Sequence, residues 1–218
     1  MKITACIFDL DGVIVDTARY HYLAWRRLAR ELGFDFSPEH NERLKGISRM
    51  KSLEILLEVG GITLSKDEME DAAQRKNAWY VDYISTLTPD NILPGVLDFI
   101  REIDKNGIKK AIGSASKNAG IILRRLQIEN LFDAVIDGNR ISKAKPDPEI
   151  FLLAAKELGA GPEECIVFED AQAGIEAAKN GGMYGVGVGD SAILSKADLV
   201  IQGFTRLSWD QFLYKLSH

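Results

Sequence analysis

Asp9 and Asp11 stand one residue apart at the end of the apolar run Ile7-Phe8, with Gly12 directly after them. In an extended chain such residues project to the same side, so the two carboxylates can share a cation or divide the roles of nucleophile and acid/base. Further polar groups follow later apolar runs: Ser114-Ala115-Ser116-Lys117-Asn118, Asp137, Lys145-Pro146-Asp147-Pro148 and Glu169-Asp170. The small, hydroxyl-rich turn can present N–H groups and hydroxyls to a phosphate, or act as an ordinary helix cap. Lys145, fixed before a proline turn, can offset carboxylate and phosphoryl charge, although a solvated lysine is the plainer reading of that residue alone. Glu169 and Asp170 can join Asp9 in an oxygen-ligand set for Mg2+, or simply cap the helix that follows. Acids, hydroxyls and a lysine gathered on one rim suit magnesium-assisted phosphoryl transfer.

Such a rim needs strands that end on the same side. Residues 3 to 8 read as a fully buried strand. From about Thr17 to Thr86 the pattern is helical. His21, Trp25, Leu28 and Leu32 form one stripe stopped by Gly33, Leu53, Leu56 and Leu57 a second ending at Gly60-Gly61, and Ser65 to Glu68 a capping box that opens a third helix through Trp79 and Tyr80. After Thr88-Pro89 and Pro94-Gly95 the signals alternate. Strands are expected at 108–112, 134–136, 165–168, 184–188 and 199–201, with helices near 96–105, 118–126, 149–158 and 172–180. The expected fold is α/β: a doubly wound, Rossmann-like parallel-sheet core, residues 1–15 and 88–218, with a helical cap domain, residues 16–87, inserted after the first strand.

Composition narrows the partners. The net charge of -5, from 27 basic and 32 acidic residues without a basic block, offers no footprint for nucleic acid or an anionic membrane, and no stretch is long enough to span a bilayer. Cys6 and Cys165 lie inside apolar runs and read as buried thiols. Asp9 and Asp11 come too early for a signal peptide. A cytoplasmic monomer acting on a small molecule is expected.

Asp9-Leu10-Asp11-Gly12, Ser114, Lys145-Pro146 and Glu169-Asp170 occur in the order and setting of the four motifs of the haloacid dehalogenase superfamily, which the chain resembles over nearly its whole length. Within it, Asp16-Thr17, His21 with Ala24-Trp25, Leu44 to Arg49, Lys76-Asn77 and Ser114 to Asn118 are similar to the β-phosphoglucomutase branch. The resemblance implies Asp9 as nucleophile, forming an aspartyl phosphate, and Asp11 as acid/base toward a sugar hydroxyl. It implies Mg2+ on Asp9, the Asp11 carbonyl and Asp170 with Glu169 alongside, and Ser114 and Lys145 on the transferring phosphoryl group. Arg49, Ser116, Lys117 and Asn118 would hold the substrate's other phosphate, while Thr17, His21, Trp25, Gly46, Ser52, Lys76 and Asn77 would shape closure and sugar binding. Without it, His21 and Trp25 read as helix core, and Arg49 and Lys76 as solvated cations.

The reaction so implied interconverts β-D-glucose 1-phosphate and D-glucose 6-phosphate, with β-D-glucose 1,6-bisphosphate as primer and intermediate. A sugar-phosphate phosphatase would use the same pair of acids with water as acceptor. A receiver-like signalling module shares the acids, metal, hydroxyl and lysine but has no helical insert. One departure is Gly113, where relatives carry alanine, and a looser phosphate turn is expected from it.

Overall fold

A strand with both faces to bury must be apolar throughout, and Ala5, Cys6, Ile7 and Phe8 all are. Cys6 and Phe8 pack into one apolar cluster, Ala5 and Ile7 into another on the opposite face. In the computed structural model, which describes residues 2–217, this strand, β1 (Ala5–Phe8), is central to a sheet that has six strands among the described residues. The others are β2 (Lys109–Gly113), β3 (Ala134–Ile136), β4 (Cys165–Glu169), β5 (Tyr184–Val188) and β6 (Leu199–Ile201). Every neighbouring pair is parallel, in the order β3-β2-β1-β4-β5-β6. The chain winds outward from β1 through β2 to β3, then restarts on the other side at β4. The point of reversal lies between β1 and β4, where the register pairs Phe8 with Phe168 and their rings stack 4.8 Å apart. A doubly wound sheet binds ligands in the crevice at that point, beyond the carboxyl ends of its strands.

Between β1 and β2 come α1 (Ala18–Glu31), α2 (Pro38–Glu42), α3 (Arg49–Gly60), α4 (Lys66–Ile84) and α5 (Val96–Lys105). α1, α3 and α4 share an apolar cluster of their own around Trp25, Leu28, Leu53 and Leu56, joined by Phe36 and Leu44 from the segments on either side of α2. Their ends are set by local chemistry. Ser65 accepts the Glu68 N–H while the Glu68 carboxylate accepts the Ser65 N–H at 2.8 Å, so α4 starts on the capping box. Gly61, at φ 62°, closes α3 in the left-handed region.

The later helices are α6 (Ala119–Leu126), α7 (Glu149–Leu158), α8 (Gln172–Asn180) and α9 (Trp209–Ser217). Two helices were not expected from the sequence. The helix α2 is only five residues long, too short for a periodic stripe, though Ser37 and Pro38 form its cap. In α9, Trp209 and Phe212 are buried against Phe99, with ring centroids 6.1 and 5.6 Å away. That segment is short and half polar, and its apolar face becomes evident only against the core aromatics. β1 begins at Ala5, later than the expected residue 3.

Candidate active site

The Asp9 N–H donates to the Phe168 carbonyl at 2.9 Å, which extends the β1 and β4 pairing and delivers the Asp9 side chain at the reversal point. Gly12 then turns the chain at φ 80°, and a Cβ there would overlap the Asp170 carboxylate. Asp9, Glu169 and Asp170 each offer a carboxylate oxygen, all within 4.8 Å of one another. The Lys145 ammonium, fully buried, donates to Asp9 Oδ1 at 2.8 Å, to Glu169 Oε1 at 2.5 Å and to the Gly113 carbonyl at 3.2 Å. Burial works against that ammonium, but Asp9 and Glu169 outweigh it and raise Lys145 above the lysine range. The sequence left open whether Lys145 is solvated, and it is not. Glu169 serves both of its expected purposes, since its Oε2 also accepts the Ala171 N–H at 3.1 Å ahead of α8.

Asp11 is placed differently. Its carboxylate accepts from the Thr17 hydroxyl at the start of α1 and lies outside the cluster of three carboxylates. Burial, and then the charge of Asp9, push its pKa up to about 7, an acid poised to exchange a proton near neutrality. Ser114 is fully buried, with its N–H on the Ile136 carbonyl at 3.0 Å and its Oγ accepting the Ser116 N–H at 3.1 Å. Ser116 Oγ in turn accepts the Asn118 N–H at 3.2 Å, so the turn is ordered by its own hydroxyls. The expected loosening at Gly113 meets a compensation: Phe151 and Ile7 fill the space, 3.0 and 3.1 Å from where a Cβ would stand. Asp137, also on the rim, accepts from the Asn139 N–H at 2.9 Å and orders its own turn.

A cavity of about 320 Å³ opens over Asp9, Asp11 and Asp170. Its core side carries Ser116, Lys117 and Asn118, and its cap side His21, Trp25, Gly46, Arg49, Ser52, Lys76 and Asn77. Thr17, Ser114, Lys145 and Glu169 stand behind its wall. Asn118 Nδ2 donates to Asn77 Oδ1 at 2.8 Å, tying cap to core. Lys76 is buried, 2.9 Å from His21 Nδ1 and 4.4 Å over the Trp25 ring. Burial, then the charges of Lys76 and Arg49, hold His21 well below the histidine range, and its Nδ1 pairs with the Lys76 amine. Burial lowers Lys76 and Arg49 as well, and neither has a salt-bridge partner among the described residues. Two cations drawn into a partly dry cavity favour a dianionic ligand.

The sequence reading missed other residues of this lining. Asn41, from the short α2, is buried with its Oδ1 unpartnered, and Lys45, Ser142 and Lys143 complete the mouth. Only Lys45 carried a signal, as the neighbour of Gly46.

The three carboxylates fit a hard divalent cation. All donors are oxygens, and the backbone is cut away for them, since a Cβ on Gly12 would strike Asp170 and one on Gly174 would strike Glu169. Burial and mutual repulsion push Asp170 well above the carboxylate range, a charge excess that Mg2+ would offset.

Comparison with known proteins agrees with this geometry. Residues 3–182 match the family model described as haloacid dehalogenase-like hydrolase. The chain is 44% identical over 217 residues to a β-phosphoglucomutase of Bacillus subtilis, covering 95% of this chain and 96% of that one. It is 35% identical over 187 residues to a phosphorylated carbohydrates phosphatase of Thermotoga maritima, covering 84% of each. The crystal structure of a β-phosphoglucomutase from Clostridium difficile superimposes with a TM-score of 0.94 at 45% identity, covering 99% of this chain and 97% of that one.

Proposed function

The chain belongs to the haloacid dehalogenase-like hydrolase family, and from that premise we propose that it is a phosphomutase converting β-D-glucose 1-phosphate to D-glucose 6-phosphate through β-D-glucose 1,6-bisphosphate. The observation that carries this reading is the single cavity in which Arg49, His21 and Lys76 of the cap face Asp9 and Asp11 of the core. Its volume of about 320 Å³ suits a sugar with two phosphates, one over Asp9 and one under the cap cations. Full-length similarity to the Bacillus mutase supports it.

A carboxylate oxygen of Asp9 attacks phosphorus, the bond from phosphorus to the sugar oxygen breaks, and Asp11 gives that oxygen its proton. In the reverse transfer Asp11 takes the proton of the other sugar hydroxyl as that oxygen attacks the aspartyl phosphate. The bisphosphate forms when that hydroxyl oxygen takes the phosphoryl group from Asp9, and it then turns so that its other phosphate faces the freed Asp9 for the attack described first, which yields D-glucose 6-phosphate and restores the aspartyl phosphate. Lys145 and Ser114 hold the transferring group, while Arg49, Ser116, Lys117 and Asn118 hold the other phosphate. His21, Lys76 and Trp25, with Thr17, Ser52 and Asn77, fix the sugar and the closed cap. Asp9, Asp170, Glu169 and the Asp11 carbonyl would hold Mg2+, which supplies charge neutralisation to the phosphoryl group when bound.

Residues 16–87 act as the cap, and their closure keeps water from the aspartyl phosphate until a sugar hydroxyl takes the phosphoryl group. Among the described residues no helix is long and apolar enough to cross a membrane. We read the protein as a cytoplasmic monomer with no nucleic-acid partner.

The test is formation of glucose 6-phosphate from the β-1-phosphate, with Mg2+ and bisphosphate primer, measured beside free phosphate. Glucose 6-phosphate is expected, and Asp9→Asn abolishes it. Phosphate release without isomerised product would leave the phosphatase reading, which the similarity to the Thermotoga enzyme favours.

A further inference from the structure

Tyr80 lies on α4, one turn beyond Lys76, and is fully buried. Its ring stacks on His21 with centroids 3.9 Å apart, and the Lys76 ammonium sits 4.8 Å from its centre. Those contacts account for the ring, and a phenylalanine would make them equally well. The hydroxyl is not accounted for. It is buried, and although Asp11, Thr17 and Ser116 lie within its reach, among the described residues none meets it with well-aligned hydrogen-bond geometry. An unmet buried donor opposes folding, so its presence calls for a purpose outside stability.

The polar groups around that hydroxyl are the Asp11 carboxylate and the hydroxyls of Thr17 and Ser116. Burial, and then the negative charge of Asp11, hold the phenol well above its usual range, so it keeps its proton and can only be useful as a donor. The Thr17 hydroxyl already donates to Asp11 Oδ1, which leaves Oδ2 for a second donor. Thr17 and Tyr80 therefore flank the acid/base from two elements, the start of α1 and the core-facing side of α4. Asn77, also on α4, accepts from Asn118 of the core turn that carries Ser116, so α4 is seated against this turn.

We propose that Tyr80 is a positioning residue for Asp11. When the cap closes on substrate, the Tyr80 hydroxyl donates to Asp11 Oδ2 and, with Thr17 on Oδ1, fixes the rotation of the carboxyl group. Each carboxylate oxygen has two acceptor sites, so the side facing the cavity remains free to give or take the proton of the sugar oxygen. Tyr80 keeps its own proton throughout. When α4 withdraws, this donor is lost and Asp11 turns freely, so proton transfer is efficient only in the closed, water-poor state.

The inference uses the phosphomutase reading only to name the acceptor, because Asp11 serves sugar and water alike. The test is Tyr80→Phe in the full chain with Mg2+. For β-D-glucose 1-phosphate, kcat is expected to fall about tenfold, the weight of one well-placed hydrogen bond, with KM changed less than about twofold. Phosphorylation of Asp9 by acetyl phosphate is expected to keep its wild-type rate, because acetate leaves without needing a proton from Asp11. The melting temperature is expected to hold or rise, since the unmet hydroxyl is gone. An unchanged kcat, or an equal loss with acetyl phosphate, overturns the proposal, as does a variant that does not fold, because the ring contacts alone are held to support the structure. If the wild type releases only phosphate, the mutase reading fails and the comparison passes to phosphate release. That rate then falls about tenfold in Tyr80→Phe if Tyr80 positions Asp11, and stays level if it does not.

Discussion

Asp11 carries a carboxyl that burial, and then the charge of Asp9, push up to about 7, against about 3.9 in an unfolded chain. The folded state therefore holds this proton more tightly than the unfolded state does. The linkage sign follows: Asp11 opposes folding progressively as pH rises from about 4 to about 7, and its full cost is present above that window. An asparagine stays neutral and can still accept from Thr17. Asp11→Asn is thus expected to gain melting temperature relative to the wild type on going from pH 5 to pH 8, without added metal, while losing turnover. Equal differences at the two pH values would show that the charge on Asp11 is not opposed by the fold. At this scale the sequence was informative where function places unlike residues side by side. Asp9 and Asp11 announce themselves because two acids close an apolar strand, and Lys145 because a proline turn fixes it. Tyr80 and Asn41 do not. An aromatic beside Trp79 on a helical stripe has the pattern of packing, and an asparagine in a five-residue helix has no pattern, so only the unmet polar atoms reveal them.

Among the elements, the loop before α3 brings the cap close against the core at the site. Gly46 adopts φ 71°, and a Cβ there would stand 3.0 Å from the Ala171 Cβ that precedes α8. Alanine at 46 would face a left-handed backbone cost of about 1–2 kcal/mol and would also push the loop off α8. If both effects fall on the closed state, the closed population drops about tenfold or more. Gly46→Ala is therefore expected to lower kcat/KM for the sugar phosphate by at least about tenfold, with a smaller change in melting temperature. Kinetics as fast as the wild type's would show that closure tolerates a wider seam. The elements themselves were largely legible. The buried strands are continuous apolar runs, and the cap helices have clear stripes and the Ser65 box. The exceptions, α2 and α9, are short segments whose helical state depends on what they pack against, and local sequence carries little of that.

Across the whole molecule the charges are sorted. The chain is acidic overall, at -5, yet Lys45, Arg49, Lys76, Lys117 and Lys143 all reach the cavity, while Asp9 and Asp170 lie on its floor with Glu169 behind them beside one buried ammonium. Cations above draw in an anionic sugar phosphate, and the acidic floor requires a metal before a phosphoryl group can approach it. This division was not readable from net charge, because it depends on which residues the fold brings to one cavity. It has a consequence for stability. A cation that binds only the folded chain stabilises it by mass action, about 2.7 kcal/mol at a concentration a hundredfold above its dissociation constant. For a chain of this length that is a rise of roughly 5–10 °C. Saturating Mg2+ is expected to raise the wild-type melting temperature by about that amount, and EDTA to reverse the rise and stop turnover. In Asp170→Asn the rise should largely vanish, while the metal-free melting temperature should exceed that of the wild type, because burial and the neighbouring acids oppose the Asp170 charge. An Mg2+ shift of equal size in Asp170→Asn would remove Asp170 from the ligand set. The two melting curves without metal then decide whether repulsion among the three carboxylates is what the cation relieves.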